Sequence, residues 1–540
     1  MKYLSLILFN FFLVTPSWGG AYYIDNASLG GACSDSLTGT SLATPWCTLT
    51  KANSTVKAGD TVVLRQGTYN QQIAPSQSGT TSQSISYKRY NAEQVLLTAK
   101  PSISLVNRSY IIIDGVTIRV SGCSGICYAR LDGSSHNIIQ NSIMDQSTNQ
   151  SGWPVGINIV NNSQYNQLLN NTIGNVGYSV LSPGDDIGAV VDIGNIDNTN
   201  FDGSNYNLVQ GNKLFYGGHH VLSIGSSNNV IKGNYIHNEE WNTCTVVVTG
   251  GKCGDRLIVI DVDATLVRRN VIEDNILGFS GVPADQTGSD GLSLRTPFNI
   301  LRRNLFIDND EAGINVQTAS YYPSDVRFNH IYNNVFFHNG YALNENYKPW
   351  LSGISLAKFG TTDVTDVTIK NNIFWKNNWQ QSITYYGAVA TKQIISYNLQ
   401  ESGDPLFVND KAAFDPSHPE LFDFHLKSGS PAINAGGFLT TATSAGSGSI
   451  IPVTDAAYFT NGFGLIPGDL IQLQGQTQQA RVTSIDYTQN VLTIDTSLTW
   501  QQGQGISLAY EGSAPDQGAY EFIQGNGGNP SPPWNLRVIL

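Results

Sequence analysis

The 540-residue chain is acidic and carries few charges, which excludes some classes of partner. Its formal net charge is −12, whereas a protein that binds nucleic acid needs a basic surface. Only 13% of the residues are charged, while 54 are glycine and asparagine is abundant. This composition favours a turn-rich, all-β protein, and we expect no nucleic-acid partner.

The first 19 residues have the features of a signal peptide. Lys2 precedes an apolar run from Leu4 to Val14, and Ser17-Trp-Gly19 provides a small-x-small cleavage site. The run is shorter than a transmembrane helix requires. We therefore predict a protein that is secreted, extracellular or on the cell surface, with the periplasm as an alternative and no membrane span after cleavage.

Six cysteines fit an exported chain and fall into close pairs. An even number of cysteines in such a chain favours disulfides, although their connectivity does not follow from sequence. The close pairs are Cys33 and Cys47, Cys123 and Cys127, and Cys244 and Cys253.

One short phrase, an asparagine followed by two mostly apolar residues, recurs along the chain. Successive copies are from 22 residues (Asn212 to Asn234) to 41 residues (Asn171 to Asn212) apart. Repeats of about 20–50 residues are typical of solenoids, in which each unit buries its apolar face against its neighbours. The copies begin at Asn141, Asn171, Asn212, Asn234, Asn270, Asn304, Asn334 and Asn372.

Apolar residues between these asparagines recur at every second position, as in Ile258-Val-Ile260 and Ile314-Asn-Val316. This period predicts short strands with one face inward. Strands of this kind, stacked in parallel coils, form a right-handed parallel β-helix. Asparagine suits its tight turns because it tolerates the left-handed conformation. We expect the asparagines to form an internal ladder of amide hydrogen bonds.

Three motifs near the N-terminus carry a family resemblance: Gly59-Asp60-Thr61, Arg65-x-Gly67-Thr68-Tyr69 and Ser78-Gly79-Thr80. Together they resemble the entrance of the secreted pectate-lyase-like β-helix superfamily, which includes polysaccharide lyases, glycoside hydrolases and proteins without demonstrated catalysis. The resemblance implies a fold and leaves the reaction open. We place an N-terminal cap with the first coils at 20–130 and the core of the β-helix at 131–436.

Four motifs stand near the C-terminus: Asp404-Pro-Leu-Phe407, Phe424-His-Leu426, Ser430-Pro-Ala-Ile-Asn434-x-Gly436 and Asp516-Gln-Gly-Ala-Tyr-Glu521. They resemble the closing, choice-of-anchor-type motif of bacterial surface β-helix proteins. The intervening 437–513 alternates like strands and predicts a small barrel-like β module. We expect it to cap the end of the solenoid, with glycan binding as the alternative. The closing strand is placed at 514–523 and a Gly/Pro-rich tail at 524–540.

Stacked coils place outward residues in columns, because neighbouring strands lie about 4.8 Å apart. The inward anchors of one shared strand are taken as Ile157, Val190, Leu222, Ile258, Leu292, Ile314 and Ile354. Although the chain has few charged residues, several of them lie at outward positions, two residues before or three residues after these anchors. One sheet is therefore expected to present Asp186, His220, Arg256, Asp261, Asp290 and Arg295 together. The candidate catalytic residues are Asp185, Asp186, His220, Arg256, Asp290 and Arg295.

Hydrolysis is one chemistry for this cluster, since a carboxylic acid can protonate the leaving oxygen while a carboxylate activates water. Gly184-Asp-Asp186 and Gly217-Gly-His-His220 are similar to motifs of polygalacturonase-type hydrolases. That resemblance implies acid and base roles for Asp185 and Asp186, supported by His220. The chain departs from the pattern because the second motif has His-His where Gly should follow His, and because the clamp lysine is missing.

β-Elimination is the rival chemistry. A base removes the proton next to a uronate carboxylate, while a cation neutralises that carboxylate. Arg256 or Arg295 is the candidate clamp, and His220 is the candidate base with Lys358 as the alternative.

Calcium is the possible cofactor of such an elimination. Carboxylate oxygens are the ligands that it prefers. The candidate metal ligands are Asp261 and Asp263, together with Asp290.

Aromatic and polar residues near these coils suit a groove for an extended glycan, because sugar rings stack on aromatic faces; loop packing is the alternative. The candidate substrate-binding residues are His219, Trp241, Glu311, Gln317, Tyr321, Tyr322, Trp350 and Lys358.

The sequence therefore predicts an exported carbohydrate-active protein whose partner is a polysaccharide. We expect a polysaccharide lyase that cleaves a uronate-containing glycan by β-elimination, with a polygalacturonase-like glycosidase as a close rival. A non-catalytic surface glycan-binding or structural β-helix protein is the alternative from another class.

Overall fold

The structure, a computed structural model, is nearly all β. None of its described helices has the length and apolar character of a membrane span. The residues that the structure describes are 19–148, 152–177, 188–194, 202–238, 256–261, 269–280, 289–318, 325–341, 350–378, 381–387, 389 and 392–523.

Three long parallel sheets, which we call A, B and C, form the body of the molecule. Through most of the body, strands of the chain fall on A, B and C in turn, so that each circuit makes one coil of a right-handed parallel β-helix, as predicted. Sheet A consists of β1 (Ala21–Ile24), β2 (Thr61–Leu64), β4 (Ile85–Arg89), β7 (Ile111–Asp114), β10 (Ile138–Gln140), β13 (Gln167–Leu169), β16 (Leu208–Gln210), β19 (Val230–Lys232), β22 (Val271–Glu273), β25 (Ile300–Arg302), β29 (His330–Tyr332), β33 (Thr368–Lys370) and β36 (Ile394–Ser396).

Sheets B and C complete each coil. Sheet B consists of β3 (Gly67–Tyr69), β5 (Val95–Leu97), β8 (Thr117–Ser121), β11 (Ile143–Thr148), β14 (Thr172–Val176), β17 (Lys213–Gly217), β20 (Tyr235–Asn238), β23 (Ile276–Ser280), β26 (Leu305–Ile307), β30 (Val335–Phe337) and β34 (Ile373–Trp375). Sheet C consists of β6 (Ile103–Val106), β9 (Ile126–Asp132), β12 (Val155–Val160), β15 (Ala189–Ile193), β18 (His220–Ile224), β21 (Arg256–Ile260), β24 (Asp290–Leu294), β27 (Ile314–Gln317), β31 (Ile354–Ala357) and β35 (Ile383–Tyr386).

The inward side chains of the coils stack into one continuous apolar core. In sheet C, Leu222, Ile258 and Leu292 pair in register and are fully buried. One predicted anchor is wrong by a residue, because Val191 rather than Val190 pairs with Ile157. Val190 is buried as well, so hydrophobicity alone does not distinguish the two positions.

Buried asparagines form the predicted ladder where sheet A turns into sheet B. Asn234 is typical: its amide nitrogen donates to the Val209 carbonyl at 2.8 Å and to Asn275 Oδ1 at 3.0 Å. Its own Oδ1 accepts the backbone and side-chain N–H groups of Asn212 at 2.9 and 3.0 Å. Each amide therefore satisfies backbone groups that would otherwise be buried without partners.

Three details of the predicted ladder are wrong. Asn141 lies one residue before the ladder, and the member in that coil is Ser142, whose backbone N–H donates to Asn171 Oδ1 at 3.0 Å. The residue in the left-handed conformation is the one before each ladder asparagine, for example Asn170 (φ 54°) before Asn171. In addition, Asn270 belongs to a second ladder, where sheet C turns into sheet A, and the member of the first ladder is Asn275. The two ladders lie five residues apart in this coil, which explains why one repeated phrase matched both.

The N-terminal end is covered by the helix α1 (Leu49–Thr55). The Thr48 side chain accepts a hydrogen bond from the Lys51 backbone N–H, and Leu49 and Ala52 are buried. A disulfide joins Cys33 to Cys47 beside this helix, and a second joins Cys123 to Cys127. Cys244 and Cys253 lie outside the described residues.

Between β36 and the C-terminal end of the described chain are two small groups of strands. Strands β37 (Phe407–Asn409) and β38 (Asp423–Leu426) form an antiparallel pair, with a 3₁₀ turn at Pro419–Leu421. Apart from these two groups, a short parallel pair lies earlier in the chain, within the coils: β28 (Val326–Arg327) pairs with β32 (Val364–Thr365). An antiparallel sheet, which we call the module, consists of β39 (Thr440–Thr441), β40 (Gly446–Pro452), β41 (Leu470–Leu473), β42 (Gln479–Asp486), β43 (Val491–Trp500) and β44 (Gly505–Leu508).

The module packs on the outer face of sheet A rather than over the last coil. Ile394 and Ile395 of the last sheet-A strand remain 55% and 39% exposed, so the expected cap on the end of the solenoid is wrong. Outward residues of sheet A share one apolar cluster with the module: Leu208, Val230, Val271, Ile300 and Tyr332.

A buried ion-pair network also joins the module to sheet A. The fully buried Arg302 donates to Asp469 of the module at 2.7 Å and to Glu273 of the neighbouring coil at 2.8 Å. Arg303 and Lys232 contact Glu273 as well. These cations keep the pKa of the buried Glu273 carboxyl below its ordinary value despite the opposing effect of desolvation.

The outer face of sheet B is covered by the chain that precedes and follows the module. Phe407, Phe422 and Phe424 pack there against Phe337 and its neighbours. The C-terminal elements thus cover the outer faces of sheets A and B. In the part of the chain that the structure describes, these elements do not pack on sheet C, which carries the candidate site.

The ladder generates a stability prediction. Replacing Asn234 with Ala leaves the Val209 carbonyl and the N–H groups of Asn212 without partners in a buried turn. We expect the free energy of unfolding to fall by about 3 kcal/mol. The measurement is denaturant unfolding. Asn70→Ala is the matched control, because Asn70 is exposed and we expect a change within about 0.5 kcal/mol. Equal losses in the two variants would contradict the role of the ladder.

Candidate functional site

The outer face of sheet C carries three columns of side chains that run along the solenoid axis. The first column lies at the strand starts, the second along the middle of the strands and the third at the strand ends. Large charged groups occupy the two outer columns, whereas the middle column is built from smaller, mostly polar residues. We refer to these three columns together as the groove.

The first column contains three predicted catalytic residues on successive coils. His220 pairs in register with Arg256, and Arg256 pairs with Asp290. The nearest approach of Arg256 Nε to Asp290 Oδ2 is 3.8 Å. Asn315, two strands from Arg256, donates to the same carboxylate oxygen at 3.0 Å. The predicted juxtaposition of these residues is therefore present.

His220 is the most desolvated member of the cluster, with 3% of its surface exposed. Burial, followed by the positive charges of His219, Arg256 and Arg295 in their protonated forms, lowers the pKa of His220 well below its ordinary value. Its Nδ1 atom is buried and has no hydrogen-bond partner among the described residues. The imidazole is therefore neutral near pH 7.

The third column contains the predicted Asp261, Arg295 and Gln317. Arg295 Nη1 donates to Asp261 Oδ2 at 2.7 Å. With its amide oxygen turned toward the guanidinium, Gln317 accepts from Arg295 Nη2 at 2.9 Å and from Nε at 3.1 Å. The Arg295 side chain is thus fixed from two sides and keeps 13% of its surface exposed.

The middle column was missed by the sequence analysis. In it, Asp192 accepts hydrogen bonds from Ser223 Oγ at 2.6 Å and from Asn158 Nδ2 at 3.1 Å. A signal was available, because the position one residue after each inward anchor is polar in every one of these coils but that of Val259. The column consists of Asn158, Asp192, Ser223, Val259, Ser293, Asn315, Ser355 and Thr384.

Predicted substrate-binding residues flank these columns. His219 stacks against His220 with ring centroids 4.0 Å apart. The Glu311 backbone N–H donates to the Ser289 carbonyl at 3.2 Å, which places Glu311 beside the first column. Trp350 contacts Tyr386 at the far end of the groove, and Lys358 forms an ion pair with Asp363 at 3.1 Å.

Several predicted site residues lie outside the described residues and stay predictions. They are Asp185, Asp186, Trp241, Asp263, Tyr321 and Tyr322.

Two of the three candidate calcium ligands, Asp261 and Asp290, are described, and calcium binding stays a prediction. Within the ranges that the structure describes, no three His, Cys, Asp or Glu residues are grouped so as to hold a metal ion. The Asp261 carboxylate is bonded to Arg295, and Asp290 faces Arg256 and accepts from Asn315. A cation on Asp261 or Asp290 would have to displace or face these guanidinium groups.

The sequence is similar to one family model, described as "Right handed beta helix region", over residues 195–348. That match spans less than a third of the chain and covers the first and third columns from His220 to Gln317. No curated protein matches the sequence.

Solved structures with a similar fold include pectate lyase Pel9A, with a TM-score of 0.49 and 15% identity over 94% of this chain and 97% of that one. A rhamnogalacturonan lyase has a TM-score of 0.46 and 15% identity over 76% and 97% of the two chains. The PL6 family polysaccharide lyase Pedsa3628 from Pseudopedobacter saltans has a TM-score of 0.42 and 16% identity over 70% and 94%.

The burial of His220 generates a prediction about pH. The pKa of His220 is lower in the folded protein than in the unfolded chain. Below the ordinary histidine pKa of about 6.5, the unfolded chain therefore binds a proton at this residue, whereas the folded protein does not. Stability is therefore lost as the pH falls. When the pH is lowered from about 7.5 to 5.5, we expect the wild type to lose about 1 kcal/mol more of its free energy of unfolding than His220→Gln loses. Urea unfolding at both pH values measures this, and a difference that does not depend on pH would contradict it.

Proposed function

We propose that the protein is an enzyme that cleaves a uronate-containing polysaccharide by β-elimination on the outer face of sheet C. The observation that carries the proposal is a neutral, buried His220 beside Arg256 and within the electrostatic reach of Arg295. Elimination needs a base and a group that neutralises the uronate carboxylate, and this cluster contains both.

The two arginines are suited to receiving the carboxylate. Arg256 and Arg295 keep 16% and 13% of their side-chain surfaces exposed, whereas the neighbouring Asp290 is almost completely buried. A guanidinium can bind a carboxylate through two parallel hydrogen bonds. Neutralising the carboxylate lowers the pKa of the adjacent C–H bond, and low exposure strengthens the interaction because little water screens it.

In the proposed step, the His220 imidazole takes the proton from the carbon next to the carboxylate. The electron pair of that C–H bond forms the new C=C bond, and the glycosidic C–O bond breaks. The leaving oxygen receives a proton, which the imidazolium of His220 can return. The products are a shortened chain and a chain with an unsaturated uronate at its new end.

Hydrolysis is less well supported by the described residues. It needs one carboxyl group that is protonated at working pH and a second that activates water or attacks. Asp261 is bonded to Arg295, and Asp290 accepts a hydrogen bond from Asn315 and faces Arg256. Both carboxyl groups are therefore already engaged by neighbouring side chains.

The experiment is an assay of the purified full chain on polygalacturonate, alginate and xylan. Ultraviolet absorbance detects unsaturated uronate ends, and a reducing-end assay detects either type of cleavage. We expect both signals on an acidic polymer. His220→Ala should lower kcat by about 1000-fold, and Arg256→Gln or Arg295→Gln should lower kcat/KM by about 100-fold.

The control is His418→Ala, because His418 is exposed and pairs with Glu420 away from sheet C; its activity should equal that of the wild type. Reducing ends without the ultraviolet signal would overturn elimination in favour of hydrolysis. No product on any of the polymers would overturn the enzyme assignment. A rate that collapses on chelation would assign neutralisation of the carboxylate to a bound cation instead of to the arginines.

A further inference from the structure

Two exposed aromatic residues stand at opposite ends of the groove. Trp153 precedes β12 by two residues and is 41% exposed, and Tyr386 ends β35 and is 37% exposed. The charged residues of both outer columns lie on the coils between them. We propose that Trp153 and Tyr386 are the terminal sugar-stacking positions of this groove, and that one glycan chain extends between them along the solenoid axis. The inference rests on the proposed function, since it takes a polysaccharide as the ligand.

Trp153 is held beside the first column by its backbone neighbours. The Pro154 carbonyl accepts from the Ala189 N–H at 3.1 Å, and the Val155 N–H donates to the Gly125 carbonyl at 2.9 Å. These bonds fix the residues after Trp153 to the coils on both sides. The indole meets the His219 ring edge-on, with centroids 5.5 Å apart and an interplanar angle of 76°. The remaining exposed surface of the indole is open to a ligand.

The first column leads directly away from Trp153. Val155 pairs with Ala189, and Ala189 pairs with His220, so Trp153 lies two coils before the proposed base. With strands about 4.8 Å apart, the two positions are separated by about 10 Å along the axis. A chain that is cleaved beside His220 therefore extends over Trp153.

Tyr386 occupies the matching place on the third column. Gln317 pairs with Ala357, and Ala357 pairs with Tyr386, so Tyr386 lies on the column that contains Arg295. Trp350 and Phe359 contact the Tyr386 ring, with centroids 4.9 and 5.2 Å away, and hold it in place.

The distance between the two aromatic residues decides which ligands can contact both. From β12 to β35 there are seven strand spacings, or about 34 Å along the axis. A trisaccharide is too short to reach both rings, whereas a polymer can. The geometry therefore points to a preference for long chains that comes from binding and not from the chemical step.

The test compares KM and kcat for Trp153→Ala, Tyr386→Ala and the double variant on the polymer that the wild type cleaves. Each single variant should raise KM by about tenfold with kcat within about twofold, because a stacking contact far from the reacting bond contributes to binding alone. The effects should multiply in the double variant on the polymer but not on a trisaccharide. Trp153→Phe and Tyr386→Phe should restore most of the binding.

Tyr397→Ala is the matched control, because Tyr397 is an aromatic residue with 58% exposure on another face of the molecule. Its KM should equal that of the wild type. A KM that stays unchanged in Trp153→Ala and Tyr386→Ala would overturn the inference. So would a fall in kcat alone, or a loss that Phe does not restore.

A binding assay separates this inference from the proposed reaction. In gels that contain polygalacturonate, alginate or xylan, the polymer that retards the wild type should retard Trp153→Ala and Tyr386→Ala less, and should retard the control Tyr397→Ala as much as the wild type. That result supports the binding positions even if no polymer is cleaved. Equal retardation of all variants, or no retardation of the wild type by any polymer, would overturn them.

Discussion

The structure depends on successive coils lying in register. Strand pairing alone permits a coil to slide, but a ladder asparagine such as Asn234 bonds to the coils on both sides through one buried amide. Sliding would leave these groups without partners inside the protein, where each costs about 1–3 kcal/mol. The ladders thereby fix the register of the coils. This register determines which residues, far apart in the sequence, lie side by side on sheet C and form the candidate site.

The electrostatics of the groove follow from the same constraint. Arg256 and Arg295 lie on consecutive coils at opposite margins, and each is partly compensated by a carboxylate, Asp290 or Asp261. His220 lies where desolvation and both cations disfavour its charged form. A chain with few charges thus concentrates cations and a neutral base on sheet C, a long face on which the described C-terminal elements do not pack. The apolar outer faces of sheets A and B are used for packing instead.

The sequence predicted the fold and part of the site for a physical reason. The apolar residues at every second position indicate the strands of each coil, and the recurring asparagines indicate its turns. Together they were sufficient to place His220, Arg256 and Asp290 in one column. Where two residues are equally buried, as Val190 and Val191 are, hydrophobicity does not determine the register, and pairing does. The module's position was not predictable, because it depends on the outward apolar residues of sheet A and on the ion pair between Arg302 and Asp469, which are about 170 residues apart in sequence.

The central claim is that the register brings charged side chains of neighbouring coils into contact on sheet C. A double-mutant cycle between Asp261 and Arg295, which are separated by a long stretch of chain, measures this directly through denaturant unfolding of Asp261→Asn, Arg295→Gln and the double variant. The structure predicts a coupling energy of at least about 1 kcal/mol, because the pair is 2.7 Å apart and largely buried. Additive effects, with no coupling, would mean that the two residues do not meet and that the groove does not exist as described.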